Sequence, residues 1–157
     1  MTWAPGADDV RRLIADRRLE RVTADLEIAQ RLLDQANKHL ATAATSAGSD
    51  PAAAYAVLYD AARKALAALL QAQGLRPTSH GGHLVIKEVV AAQFGSTLGE
   101  IVRSFDRLRR TRNESEYVTE ATELTTAEVE EDLLVARDIV EKAQKLLSSD
   151  VLTVFSG

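Results

Sequence analysis

The sequence contains no cysteine and few aromatic residues. Without cysteine the chain can form neither a disulfide framework nor a thiolate zinc site. Aromatic residues make up 4% of the chain, although 46% of it is hydrophobic, and alanine and leucine dominate that fraction. Such a composition is typical of close-packed helices and not of sheets, which favour β-branched and aromatic residues. The composition therefore predicts an all-α protein.

Long apolar runs are also lacking. No run approaches the roughly 18 apolar residues that a membrane span needs. The first residues, MTWAPGADDVRR, do not combine a basic segment with an apolar one, as a secretory signal would. We therefore expect a soluble cytoplasmic protein without a membrane segment, and 157 residues suffice for one domain with its own core.

Charge is distributed unevenly along the chain. The net charge of −4 argues against a general nucleic-acid binder, yet five arginines lie between positions 103 and 112. Eight acidic residues then follow between positions 114 and 132, with no lysine or arginine among them. Such blocks are either solvated helix faces, complementary surfaces of neighbouring helices or halves of a self-association interface.

Glycine, proline and capping residues divide the chain into helices. Asp50 followed by Pro51 predicts a helix start, and Gly74 predicts its end. Thr23 is the expected N-cap of the preceding helix, and Thr125 with Glu128 forms a capping box for the last. The predicted helices cover about 8–18, 23–47, 51–73, 83–94, 97–115 and 125–148, with a loop and no strand between 75 and 82.

These helices predict an up-and-down bundle of four main helices plus short N-terminal and loop helices. The expected division is an N-terminal segment with a short helix over 1–21, the bundle over 22–148 and a tail over 149–157. Apolar stripes at helical spacing predict the buried faces. The stripe of the first long helix is Leu26, Ala29, Leu33, Ala36 and Leu40, and that of the short helix is Leu84, Ile86, Val89 and Val90.

One arginine lies on such an apolar stripe. At about 100° per residue, Arg112 falls within about 60° of the stripe of its own helix. That stripe consists of Ile101, Phe105 and Leu108. A guanidinium among buried side chains is costly unless it is paired, so either a carboxylate partners Arg112 or the site is an open functional cleft. Arg109, Asn113 and Tyr117 would extend a polar arc of about 140° around the helix.

The segments AYAVLYDAARKALAALL, PTSHGGHLVIKEVV and RLRRTRNESEY, followed by a capped final helix, resemble a HEPN domain, the higher-eukaryote and prokaryote nucleotide-binding helical domain. The resemblance covers roughly residues 22–148. It implies a homodimer whose cleft carries a metal-independent ribonuclease motif of arginine, a polar residue and a histidine further on. Arg112 and Asn113 match the first two positions, and Tyr117 stands in place of the histidine.

Tyr117 is a poor substitute for that histidine, because a phenol with a pKa near 10 does not shuttle protons at neutral pH as imidazole does. The ending Glu116-Tyr117 resembles small stand-alone HEPN proteins that accompany a nucleotidyltransferase in toxin–antitoxin or defence modules. The resemblance therefore implies a nucleotidyltransferase partner and an RNA or nucleotide ligand. Arg112, Asn113 and Tyr117 are the candidate catalytic residues, with Arg109 and Glu116 as binding residues.

Three functions stay open at this point. In the first, a dimer binds nucleotide or RNA phosphates at Arg112 with little or no cleavage. In the second, it is a weak ribonuclease in which either Tyr117 positions the 2′-hydroxyl of the substrate or another histidine, His80 or His83, reaches the cleft. In the third, it is a ligand-free interaction bundle in which Arg112 is anchored by an acidic residue such as Glu116 or one on the last helix.

Other chemistry is sparse in the sequence. His80 and His83 lack a carboxylate or thiol at ligand spacing, so we expect no metal and no cofactor, and a loop and N-cap role for both. Asp60 and Lys64 lie one turn apart and predict an ion pair within the helix. Asp60 is also a candidate binding residue, since the central helix could present it to Arg112.

Overall fold

The computed structural model describes residues 5–117 and 123–157, and this part of the chain is mainly helical. Its elements are α1 (Ala7–Ala15), β1 (Leu19–Arg21), α2 (Leu26–Ser46), α3 (Pro51–Ala72), β2 (Leu75–Pro77), α4 (Gly82–Phe94), α5 (Gly99–Ser115) and α6 (Thr126–Ser148). The predicted all-α bundle is confirmed, with α2, α3, α5 and α6 as its four main helices. α3 packs against α2, α5 and α6 and is the central helix.

The predicted ends of α3 are confirmed. The Asp50 carboxylate accepts a hydrogen bond from the Ala53 amide at 3.1 Å, and Pro51 occupies the first turn. Gly74 follows the helix with a φ of 75°, in the left-handed region that glycine adopts without steric cost. The capping box of Thr125 and Glu128 at the start of α6 is also present.

Some sequence predictions are wrong at the edges of the bundle. The N-cap of α2 is Asp25, which accepts from the Ile28 amide at 3.0 Å, and not Thr23. Leu26 and Leu84 are 61% and 39% exposed, because each lies in the first turn of its helix, where the neighbouring elements do not cover it. The other residues predicted on those two stripes are buried.

The N-terminal segment joins the bundle through a short sheet that the sequence did not predict. β1 pairs antiparallel with β2, with Leu19 opposite Pro77 and Arg21 opposite Leu75. The predicted loop after α3 therefore begins with a strand, whose proline stands at the end of an edge strand, where its missing N–H is tolerated. The sheet fixes the path of the chain from α3 to α4.

A buried hydrogen bond and a partly exposed ion pair on the same carboxylate connect three helices. The hydroxyl of Tyr55 on α3 donates to the carboxylate of Asp132 on α6 at 2.7 Å. Arg107 on α5 donates to both oxygens of the same carboxylate, at 2.7 and 3.1 Å. Burial and the bond to Asp132 raise the pKa of Tyr55 well above its ordinary value. This contact holds the middle of α5 against α3 and α6, a little more than one turn before Arg112.

The C-terminal tail is packed onto the bundle. Phe155 is 3% exposed, and its amide donates to the carbonyl of Gln73 at 2.9 Å. The guanidinium of Arg21 on β1 lies over the Phe155 ring, 5.1 Å from its centroid. Phe155 therefore completes the core at the end of the bundle that carries the sheet.

Candidate functional site

A small cleft opens where α2, α3, α4 and α5 meet. Its volume is about 240 Å³. It is lined by His39, Ala56, Val57, Tyr59, Asp60, His83 and Arg112. Ionisable or hydrogen-bonding side chains from four helices thus converge on one concave surface, which is the usual arrangement of a binding site.

Arg112 reaches this cleft from the last turn of α5. Its side chain is 30% exposed, and the guanidinium carbon lies 6.0 Å from the centroid of the Tyr59 ring. Nη1 forms an ion pair with Glu116, one turn further along, and lies 2.8 Å from its carboxylate oxygen. The Glu116 side chain is 57% exposed, so this pair lies at the rim of the cleft. Arg112 is therefore positioned by an aromatic face and an exposed carboxylate.

Tyr59 forms the floor of the cleft. It is 2% exposed and stacks on Phe105, with ring centroids 5.7 Å apart. Burial raises its pKa to about 12, which keeps the hydroxyl protonated at neutral pH. That hydroxyl lies 3.0 Å from Nδ1 of His83 and shares a hydrogen bond with it. When the neutral imidazole carries its proton at Nε2, Tyr59 donates to Nδ1.

His83 lies in the first turn of α4, at the mouth of the cleft. Partial burial lowers its pKa, and the positive charges of Arg63 and Arg112 lower it further, whereas Asp60 opposes them. The imidazole is therefore mainly neutral near pH 7, with Nε2 as the ring nitrogen that a ligand can reach. A negatively charged ligand beside it would favour the protonated form.

A cluster of charges on α2 and α3 borders the cleft. Asp60 accepts from Nε and Nη2 of Arg63 at 2.9 and 2.5 Å. Its other oxygen lies 3.3 Å from Lys64 Nζ and 3.4 Å from Nε2 of His39. Burial raises the pKa of Asp60, but the hydrogen bonds and charges of Arg63 and Lys64 outweigh burial and lower it overall. The predicted Asp60–Lys64 pair is present.

The sequence-predicted site residues do not all converge on the cleft. Arg112 and Asp60 line it together, whereas Arg109 donates to Asp106 at 2.8 Å beside it. Asn113 is exposed on α5, and Tyr117 is 76% exposed just after the end of that helix. Glu116 pairs with Arg112 at the rim. The polar arc expected around α5 is therefore split between the cleft and the outer surface, and residues 118–122 lie outside the described residues.

Sequence reasoning did not assign a site role to three residues at the cleft. His39 and Tyr59 line it, and Arg63 borders it through Asp60. A signal was present for the α3 residues, since Ala56, Tyr59, Asp60 and Arg63 follow helical spacing and share one face. No comparable signal existed for His39, because its position depends on how α2 packs against α3.

Two further findings concern the described residues as a whole. Within 5–117 and 123–157, no group of three or more histidine, aspartate or glutamate side chains is arranged to hold a metal ion. None of the helices in these ranges is long and apolar enough to cross a membrane.

The bundle and its cleft define a small all-α protein with arginine and histidine side chains converging on a single face. Comparison with protein families then identifies the class more closely. The sequence model of the HEPN domain matches residues 29–148, which include most of α2 and all of α3 to α6. The chain therefore belongs to the HEPN domain family. Comparisons with curated proteins and with solved structures gave no match.

Proposed function

We propose that this HEPN domain binds the phosphate groups of a nucleotide or RNA in the cleft at Arg112, with little or no cleavage. Membership of the family indicates a role that involves nucleotides or RNA, often as a ribonuclease or in a toxin–antitoxin system. The observation that carries the proposal is the position of Arg112, whose guanidinium lies over Tyr59 in a concave site beside His83. It is partly exposed, so a ligand can reach it.

The chemistry of these side chains suits a phosphate. A guanidinium carries five N–H donors, and the ion pair with Glu116 involves one of its two terminal nitrogens, so other donors remain for a ligand in the cleft. Arg63 and Arg109 add positive charge near His83, although Arg63 is paired with Asp60 and Arg109 with Asp106. Arginine binds phosphate oxygens through charge-assisted, often bidentate hydrogen bonds. A titration of the wild type and Arg112→Ala with labelled RNA tests this function.

We further propose that the protein is a homodimer and acts with a nucleotidyltransferase as one component of a toxin–antitoxin or defence module. HEPN domains commonly dimerise, which supports the first part. The exposed Tyr117 and Asn113 at the end of α5 are then available to a second subunit or to the partner protein. A monomer in a sizing measurement would rule out the dimer, and failure to copurify with a nucleotidyltransferase encoded beside it would rule out the module.

Binding of RNA is expected to tighten as the pH falls from about 7.5 to about 5.5. The pKa of His83 is lowered in the free protein, and a phosphodiester beside the ring would raise it. Binding is then coupled to proton uptake, so affinity increases once the pH falls below the pKa that His83 has in the complex, and it levels off below the lowered pKa of the free protein. Oligouridylate is a suitable probe, because its own charge is constant over this range.

The matched control is His83→Gln, which keeps a side chain with an amide donor but cannot take up the proton. Its affinity for oligouridylate should be nearly independent of pH over the same range. An equal pH dependence in the wild type and in His83→Gln would show that His83 does not contact the phosphate.

A second candidate function, weak metal-independent ribonuclease activity, is favoured by one observation. His83 lines the same cleft as Arg112. A histidine is therefore present beside Arg112, although Tyr117 replaces the histidine of the family motif. The neutral imidazole of His83 has the pKa range needed to accept the proton of a ribose 2′-hydroxyl, and Arg112 could stabilise the pentavalent phosphate.

If this second function holds, RNA should be cleaved in the presence of a chelator, and His83→Gln should lower the rate by about 100-fold or more. His80→Gln is the control, because His80 is exposed and does not line the cleft. Cleavage that is the same in the wild type, His83→Gln and Arg112→Ala would point to a contaminating nuclease.

A further inference from the structure

A second concave surface lies directly beside the cleft. It is an open groove of about 600 Å³ between α2, α3, β2 and α4, within the size range of small-molecule sites. We call it the sheet groove, because one of its walls is strand β2 of the two-stranded sheet. Its apolar walls are formed by Val22, Ile28, Leu32, Ala67, Leu75, Pro77 and Ile86. Ile28 is 43% exposed, so part of this apolar surface is open to solvent.

The sheet groove and the cleft share a boundary that carries hydrogen-bond donors. His83 lines both of them. Arg63 lines the groove, while its Nε and Nη2 are held by Asp60 of the cleft. Asp60 thus fixes the orientation of the Arg63 guanidinium, and Nη1 is the terminal nitrogen that this carboxylate does not use. An anion at the boundary can therefore be reached by Arg63 Nη1, by His83 Nε2 and from the cleft side by Arg112.

The groove also contains a polar group at its far end, about two turns beyond Arg63 on α3. There the amide nitrogen of Gln71 donates to the carbonyl of Thr23 at 3.2 Å. With its nitrogen used in this way, the Gln71 amide has its oxygen as an acceptor for an N–H group of a ligand. A flat, mainly apolar ring with polar atoms at its edge fits such walls.

We infer that the sheet groove holds the nucleobase of a nucleoside monophosphate unit whose phosphate binds between Arg63, His83 and Arg112. This inference rests on the proposed function, because the phosphate position is the one proposed there. An apolar helix of a partner protein would use the walls but not the cations at the boundary. A nucleotide uses both, since the base contacts apolar side chains and the phosphate contacts arginine.

The test compares nucleoside 5′-monophosphates with ribose 5-phosphate, which carries the same phosphate without a base. The wild type should bind at least one of the four common monophosphates about tenfold or more tightly than ribose 5-phosphate, since contacts to a base contribute on this scale. Ala67→Phe fills the groove from α3 and should reduce this preference to nearly none while ribose 5-phosphate still binds. Ala52→Phe, exposed near the start of the same helix, should behave as the wild type.

The outcomes separate the two proposals. If Ala67→Phe keeps the preference for a base, and Arg112→Ala still loses both ligands, the groove inference is wrong and the phosphate site stands. If ribose 5-phosphate binds Arg112→Ala as well as it binds the wild type, the proposed function fails and the inference fails with it.

A second measurement on the wild type alone covers the case in which Ala67→Phe does not fold. The backbone amide signals of Ala67, Gln71 and Ile86 should shift in NMR spectra on addition of a monophosphate but not of ribose 5-phosphate. Equal shifts with both ligands, or none with either, would overturn the inference.

Discussion

Arg112→Ala is expected to weaken the binding of RNA and of nucleoside phosphates by at least about tenfold, because hydrogen bonds to a charged group contribute about 1.5–3 kcal/mol. Arg112 is the arginine that lines the cleft, and the contact of its guanidinium with the Tyr59 ring holds it there. The measurement is a fluorescence titration with labelled RNA, repeated with a nucleoside monophosphate.

Stability should change little in the same variant. The Arg112–Glu116 pair is half-exposed and spans one helical turn, and such pairs contribute about 0–1 kcal/mol, so the melting temperature should fall by no more than about 3 °C. Arg110→Ala is the matched control, because Arg110 is one of the neighbouring arginines and its side chain is 63% exposed. It should lose only a small, salt-sensitive part of the affinity.

The opposite results for affinity and stability would favour the third function, a ligand-free interaction bundle. If Arg112→Ala keeps full affinity for RNA and nucleotides but melts several degrees lower, Arg112 is a structural anchor and the domain is an interaction bundle. The solvent exposure of the Arg112–Glu116 pair, whose side chains are 30% and 57% exposed, argues against that outcome.

The largest loss of stability is expected for Asp132→Ala. Asp132 is 8% exposed and accepts hydrogen bonds from Tyr55 and Arg107, so its removal takes away the carboxylate acceptor of a buried hydroxyl and the polar link of α6 to α3 and α5. The Arg107 side chain is 48% exposed, and water will replace part of its bond. We expect a loss of about 2–4 kcal/mol. The melting temperature should therefore fall by about 5–15 °C.

Two variants calibrate this result in the same thermal unfolding experiment. Tyr55→Phe removes only the hydroxyl and should cost about 1 kcal/mol. Asp138→Ala lies on the same helix but removes an exposed pair with Lys142, so it should change stability by less than about 0.5 kcal/mol. An Asp132→Ala protein as stable as Asp138→Ala would mean that the contact between the three helices does not hold the bundle together.

Much of the fold could be predicted because its determinants are local. The Asp50-Pro51 start, Gly74 and the Thr125–Glu128 capping box are short motifs whose hydrogen bonds form within one helical turn, so they are visible in the sequence. The strands could not be predicted in this way. β1 and β2 are three residues each, far apart in the chain, and their pairing depends on the docking of α1 against α4.

The candidate site was predictable only in part. Helical spacing turned Arg112 toward the apolar face of α5, and the structure has it half-buried over Tyr59. The same spacing could not reveal that His83 shares a hydrogen bond with Tyr59, since that contact depends on the docking of α4 onto α3. Tyr117 stands in the sequence where the family motif has a histidine, yet it follows the end of α5 and lies on the surface.

The central claim is that a phosphate binds between the Arg112 guanidinium and the His83 imidazole. The most direct measurement is NMR of the arginine and histidine side chains during a titration with ribose 5-phosphate. We expect the Nε signal of Arg112 and the ring signals of His83 to shift together and to saturate at the same ligand concentration, while the Nε signal of Arg110 changes little. If the Arg112 and His83 signals stay unchanged at a concentration that shifts exposed arginines, the cleft does not bind phosphate.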